Sequence, residues 1–284
     1  MISLPLILQS RPAVDRGTPT PGEPGRDVTR GNLHLHYQPQ YTAGGALTGF
    51  EALLRLDTPG TRPEDLVALA EDGGYIAPLG RWVLREACVQ LAVWRAEGLS
   101  TRVAVNVSPA QFAAQDFAAQ VARMLDDYRV PGDHLELELT ERLPLHDLDL
   151  ARSHFARLAE LGVGVALDDF CFEPARWRLL RGLPFAAVKL DRSVIGGWRR
   201  GGRPSLTLRG LLPWLRRRGV GVVAEGVETA AQLEIASSLG CDRIQGFWFA
   251  PPLSAEHARS LLFVSSAASS TRACGLHPAG LRPV

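Results

Sequence analysis

Side chains that bind cations or handle protons recur along this chain at the ends of short apolar runs. Phe50-Glu51-Ala52-Leu53-Leu54-Arg55 offers Glu51 and Arg55, Val103-Ala104-Val105-Asn106 offers Asn106, and Leu137-Glu138-Leu139-Thr140-Glu141 offers Glu138. Asp168 and Asp169, Lys189, Glu225 and Gln245 follow in the same setting. A lone carboxylate at such a place is most often a helix cap or a solvated charge. Repetition on successive runs is harder to explain that way. Glu51, Glu138, Asp168, Asp169 and Glu225 outnumber Lys189 and Arg55 by three negative charges. Gathered in one partly buried bowl, such an excess is costly or forces protonation. Bound cations are the simplest remedy. Carboxylate and amide oxygens are hard ligands suited to Mg²⁺ or Mn²⁺, and neither Cys nor His stands among them to favour zinc. Adjacent Asp168 and Asp169 suit a pair of ions, the usual device for in-line displacement at phosphorus. The chemistry expected is metal-assisted phosphoester hydrolysis. Proton abstraction by Lys189 beside a metal-bound enolate is the alternative chemistry for the same residues.

The elements that must position these groups follow from hydrophobic periodicity. Two strands, 34–41 and 47–56, are joined through Ala43-Gly44-Gly45, a hairpin signal that makes the first strand antiparallel to the second. Helical patterns at 63–73 and 78–97 precede a strand at 102–107. A helix at 109–128, a strand at 134–140, a helix at 148–161 and a strand at 163–168 come next. The series closes with helix 174–182, strand 186–190, a helix within 205–218, strand 220–225, helix 229–239 and strand 242–249. Eight strands alternating with helices predict a (β/α)₈ TIM-like barrel with an antiparallel first strand, and chemistry belongs at the C-terminal ends of its strands. An open, doubly wound sheet is the structural alternative, weakened by the lack of a GxGxxG turn.

Composition is ordinary for a globular protein: 284 residues, 46% hydrophobic and 21% charged, with a net charge of +1. Nothing there favours a nucleic-acid polymer or a membrane as partner. The four cysteines form no CxxC pair, and no stretch reads as a signal peptide or membrane span, so a cytoplasmic protein is expected. The Pro/Gly-rich residues 1–29 and the Ser/Ala-rich residues 263–284 are expected to be loose tails around a barrel at 30–262. Of the 31 basic residues only Lys189 is lysine. Either chance put it there, or it stands where a broad guanidinium cannot serve.

Several motifs taken together resemble the EAL domain, a family of cyclic di-GMP phosphodiesterases named for Glu51-Ala52-Leu53. They are Tyr37-Gln38-Pro39, Glu51-Ala52-Leu53-Leu54-Arg55, Asn106-Val107-Ser108, Glu138-Leu139-Thr140-Glu141, Asp168-Asp169-Phe170, Lys189-Leu190-Asp191, Glu225-Gly226-Val227-Glu228 and Gln245-Gly246. The resemblance covers residues 30–255. It implies that Glu51, Asn106, Glu138 and Asp168 ligate one Mg²⁺ or Mn²⁺ ion, and that Asp168, Asp169 and Glu225 surround a second. It further implies that Lys189 contacts the attacking water, that Arg55 grips a substrate phosphate and that Gln38, Leu53 and Gln245 line the substrate site. Glu141 would steady the loop after the fifth strand. The catalytic set is then Lys189, Glu225 and Glu51, and the implied reaction opens cyclic di-GMP to linear pGpG. A homodimer and a regulatory protein partner are further implied.

One segment departs from the family. After Asp168-Asp169-Phe170 the family typically continues Gly-Thr-Gly-Tyr-Ser-Ser, whereas this chain reads Cys171-Phe172-Glu173-Pro174-Ala175-Arg176-Trp177. The glycines are gone and proline restricts the backbone. This departure implies reduced turnover, or a receptor that binds cyclic di-GMP without cleaving it. Phe172 and Trp177 would pack against the barrel or line a dimer contact.

Overall fold

The computed structural model describes residues 33–57, 62–140, 148–170, 174–192, 194 and 206–273. Its centre is a closed barrel of eight strands in sequential order. β1 (Leu33–Tyr41) and β2 (Leu47–Leu56) form an antiparallel hairpin. Its turn is closed by the Thr42 amide donating to the Ala46 carbonyl at 2.8 Å, with Gly45 at φ +79 where a side chain would be strained. Two helices, α1 (Pro63–Asp72) and α2 (Ile76–Ala96), lead to β3 (Val103–Val107). There follow α3 (Pro109–Phe112), α4 (Phe117–Asp127), β4 (Leu135–Leu139), α5 (Leu148–Glu160) and β5 (Gly164–Phe170). The chain then runs through α6 (Pro174–Gly182), β6 (Ala187–Leu190), α7 (Leu206–Arg217), β7 (Gly221–Ala224), α8 (Ala230–Ser238), β8 (Arg243–Gln245) and α9 (Ala255–Ala273). Pairs from β2–β3 to β7–β8 are parallel, and antiparallel β1 closes the ring against both β2 and β8.

Successive strand residues face opposite sides of the wall. In β3 and β4, Val103, Val105, Val107, Leu135, Leu137 and Leu139 join the core beneath the helices. Their alternates Ala104, Asn106, Glu136 and Glu138 take the opposite face, toward the lumen. α2 supplies the matching stripe with Leu84, Ala87, Cys88, Leu91 and Trp94, and the Trp94 ring meets Tyr37 edge-on at 5.0 Å. Among the described residues no helix is long and apolar enough to cross a membrane.

Three boundaries differ from the sequence reading. The single helix expected at 109–128 is two helices, α3 and α4. A continuous helix would place Phe112 and Phe117 about 140° apart around its axis. The break instead lets the two rings meet at 5.3 Å and puts both against His154, whose Nε2 lies 3.0 Å from the Ala114 carbonyl exposed by the break. β8 stops at Gln245 rather than continuing to 249. The backbone turns at Gly246, where a Cβ would come within 2.1 Å of the Val227 carbonyl oxygen, and the Trp248 amide donates to that oxygen at 2.9 Å. The expectation of a disordered tail from 263 onward is also corrected as far as Ala273, to which α9 continues. Its Ala/Ser stretch lacks apolar periodicity, yet no glycine or proline interrupts it between Ala255 and Ala273. Residues 1–29, Glu141, Cys171–Glu173 and 274–284 lie outside the described residues. Trp177 packs edge-on against Trp214 at 5.6 Å.

Candidate active site

The barrel wall aims the expected residues at one place. Register sets Gln38 beside Glu51 across β1–β2, and Asn106 beside Glu138 across β3–β4. Lys189 lies inside, almost fully buried, with its Nζ 2.8 Å from Glu138 Oε2, 2.8 Å from Glu225 Oε1, 2.9 Å from Asp168 Oδ1 and 3.4 Å from Glu51 Oε2. One ammonium therefore serves four carboxylates on four different strands or strand ends.

Asp168 and Asp169 pose a geometric problem, because consecutive residues of a regular strand point to opposite faces. The chain solves it locally. The β5–β6 register shifts between Leu167 and Phe170, and Asp169 adopts φ +51. A bulge of this kind re-aims a side chain, and Asp tolerates the left-handed region better than most residues. Oxygens of Asp168, Asp169 and Glu225 consequently lie within 4.8 Å of one another.

The electrostatics follow from one buried cation among these acids. Burial, reinforced by Glu51, holds the Glu138 carboxyl well above the usual range. Burial likewise pushes Glu225 up to about 8. Burial opposes ionisation of Glu51 too, but Lys189 and the Gln245 and Asn106 amides overcome it and bring its pKa below the ordinary value. Lys189 is the converse case. Burial lowers its pKa, yet the surrounding carboxylates more than compensate and raise it well above the ordinary value.

These groups fit divalent cations. Glu138 Oε1 is buried without a hydrogen bond, and Asp168 Oδ1 has none either, its 2.9 Å approach to Lys189 being an ion pair outside hydrogen-bond geometry. Asn106 donates its Nδ2 to Glu51 Oε1 at 2.7 Å, which leaves its carbonyl oxygen for a cation. The available atoms are oxygens, the preference of Mg²⁺ and Mn²⁺.

A cleft of about 340 Å³ opens above the acids, lined by Gln38, Glu51, Leu53, Asp169, Glu225, Gln245 and neighbours that include Asp191 and Glu228. A second hollow of about 560 Å³ runs between β2, α1 and α2, and reaches Asn106 and Thr140. Both are bordered by Leu53 and Asp169, so they are two adjoining lobes, the first of them lined by Glu51, Asp169 and Glu225. Arg55 is on the strand that carries Glu51 but borders neither lobe. Its Nη1 donates to the Leu54 carbonyl at 2.7 Å.

A deeper polar layer was not singled out from sequence. Gln40, Glu136 and Arg243 are buried below the acids, and Arg243 holds Glu136 through two bonds of 2.8 and 2.9 Å. The signal was present as polar residues two apart, Gln38/Gln40, Glu136/Glu138 and Arg243/Gln245, on strands that otherwise read as apolar. Period two puts both members of each pair on the lumen face.

Comparison with known proteins agrees with this architecture. The family profile described as "EAL domain" matches residues 25–252. Cyclic di-GMP phosphodiesterase PA2567 of Pseudomonas aeruginosa is 35% identical over 238 residues, covering 82% of this chain and 40% of its own length. Cyclic di-GMP phosphodiesterase PdeR of Escherichia coli is 33% identical over 226 residues, covering 78% and 34%. The chain thus spans less than half the length of these curated relatives. Among solved structures, the MucR phosphodiesterase of Pseudomonas aeruginosa in complex with c-di-GMP superposes with a TM-score of 0.75 at 34% identity. That match covers 82% of this chain and 97% of the solved one.

Proposed function

The chain belongs to the EAL domain family, and from that premise we propose that it hydrolyses cyclic di-GMP to linear pGpG at the acidic centre of its barrel. The observation that carries this reading is the gathering of five carboxylates around one buried lysine at the base of a cleft. In this reading Glu51, Asn106, Glu138 and Asp168 hold one divalent ion, and Asp168, Asp169 and Glu225 hold the second. Such ions, when bound, neutralise the acids, polarise the phosphoryl group and make water a competent nucleophile at neutral pH. Lys189 keeps its proton, donates a hydrogen bond to the attacking water and orients it. Arg55 must swing from the Leu54 carbonyl to grip a phosphate with its planar fork. Gln38, Leu53 and Gln245 shape the pocket beneath one end of the substrate. Glu141 steadies the loop that follows β5.

A receptor that binds without cleaving is the competing reading raised by the altered 171–177 segment. The position of Asp169 favours hydrolysis, since its carboxylate reaches the cluster of Asp168 and Glu225 despite that segment. The family's dimerisation and control by a protein partner are part of the same proposal. Incubation of the purified chain with cyclic di-GMP and Mn²⁺, followed by chromatography, tests the activity. Linear pGpG is the expected product, absent in Glu51→Gln. Binding of the dinucleotide with no product would establish the receptor instead.

A further inference from the structure

Below the acids, one continuous hydrogen-bond chain crosses the lumen. Arg243 Nη1 donates to Gln40 Oε1 at 2.8 Å, Gln40 Nε2 donates to Gln245 Oε1 at 2.9 Å, and Gln245 Nε2 donates to Glu51 Oε2 at 2.6 Å. The second hydrogen of Gln245 Nε2 goes to Gln38 Oε1 at 3.0 Å. Gln40, Gln245 and Arg243 are all buried, so water is a poor substitute for any of these partners.

An amide can ordinarily turn over and exchange its donor for its acceptor. Here it cannot. A guanidinium has donors only, so Gln40 must face Arg243 with its carbonyl and Gln245 with its NH₂. Gln245 must then accept from Gln40 and present its own NH₂ to Glu51. Arg243 is itself held by both oxygens of Glu136, with Arg102 Nη1 3.9 Å from the same carboxylate. The polarity of the whole chain is thereby set at the floor of the barrel.

We propose that Arg243 and Gln40 are positioning residues that dictate which group Gln245 turns toward Glu51, and so hold Glu51 ready for a divalent cation. The inference rests on the metal-binding part of the function proposed above. Neither residue touches the cation or the substrate. They guarantee that Glu51 Oε2 receives an N–H, which fixes the carboxylate in direction, as outer partners of metal ligands do.

Gln40→Glu tests this directly, because the change is isosteric yet inverts the relay. Arg243 keeps the new carboxylate ionised, so position 40 becomes acceptor-only. Gln245 must then turn its NH₂ down and its carbonyl toward Glu51. Mn²⁺ affinity, read by titration calorimetry, is expected to fall by about 10- to 100-fold in Gln40→Glu. Gln40→Leu cuts the chain without inverting it and should lose less. Arg243→Lys retains a donor-only cation and should bind Mn²⁺ more tightly than Arg243→Met, an ordering that a packing role alone would not produce. Wild-type affinity in a folded Gln40→Glu overturns the relay. If that variant does not fold, equal affinities in Arg243→Lys and Arg243→Met overturn it. A wild-type chain that binds no Mn²⁺ overturns both the relay and the metal reading. Mn²⁺ binding that follows the expected order without cleavage of cyclic di-GMP overturns the phosphodiesterase reading alone.

Discussion

Lys189 shows how far a single side chain is constrained by its surroundings. Its ammonium sits within 3.4 Å of four carboxylates, in a space that admits a compact point charge. A guanidinium would need a flat, wider slot and would set its charge elsewhere. Lys189→Arg is therefore expected to fold cooperatively yet lose about 10²-fold or more of the hydrolytic rate, the cost of a misplaced orienting group. Wild-type turnover would remove the role assigned to it. The sequence made this residue conspicuous, as the one lysine against thirty arginines, and placed it on the sixth strand. It did not show that four acids converge on one Nζ, because that depends on register between strands far apart in the chain. Glu225 carries the other prediction at this scale. With its pKa near 8, it must shed a proton before it can ligate a cation. Mn²⁺ affinity should thus rise with pH up to about 8 and then level off, and the dependence should weaken in Glu225→Gln.

At the level of the element, β5 and the α3–α4 break show where local pattern is readable and where it is not. Asn106, Glu138 and Asp168 are legible as site candidates because they stand at the ends of the apolar runs of β3, β4 and β5, a pattern that needs no tertiary information. The bulge that turns Asp169 inward has no such signature, because it depends on the neighbouring strand. Asp169→Asn retains a residue at ease with φ +51 and removes one charge. It should leave the thermal midpoint unchanged or higher while reducing Mn²⁺ stoichiometry from two to one, measurable by calorimetry. The split of the expected 109–128 helix was equally hidden, for it is imposed by His154 from α5. His154→Ala should cost about 1–3 kcal/mol of stability in denaturant melts by removing a buried ring packed against Phe112 and Phe117 together with its bond to the Ala114 carbonyl. Turnover should stay as in wild type, because His154 packs on the outer layer.

For the whole molecule, the alternation of strands and helices identified the barrel and its hairpin entry, while chain-end composition hid the last helix, α9. The deeper lumen layer of Gln40, Glu136 and Arg243 is not legible in that pattern because it lies away from the strands' C-terminal ends, where barrel chemistry is expected. The barrel's interior charge also governs global stability. Glu138 and Glu225 hold protons in the fold that they would release when unfolded. The folded state then binds more protons than the unfolded one, and stability falls as pH rises from about 4.5, the ordinary glutamate value, toward about 8. Metal-free protein should melt at a lower temperature at pH 8 than at pH 6. Mn²⁺ should raise the midpoint more at pH 8, where these acids no longer need displacing from their protons.

The most direct measurement is a single-turnover reaction of metal-stripped protein with cyclic di-GMP while Mn²⁺ is titrated in. Linear pGpG should be absent with chelator present and should form only as the second equivalent of Mn²⁺ per chain is bound. Saturation with both Mn²⁺ and cyclic di-GMP while the dinucleotide remains intact would contradict hydrolysis at this site.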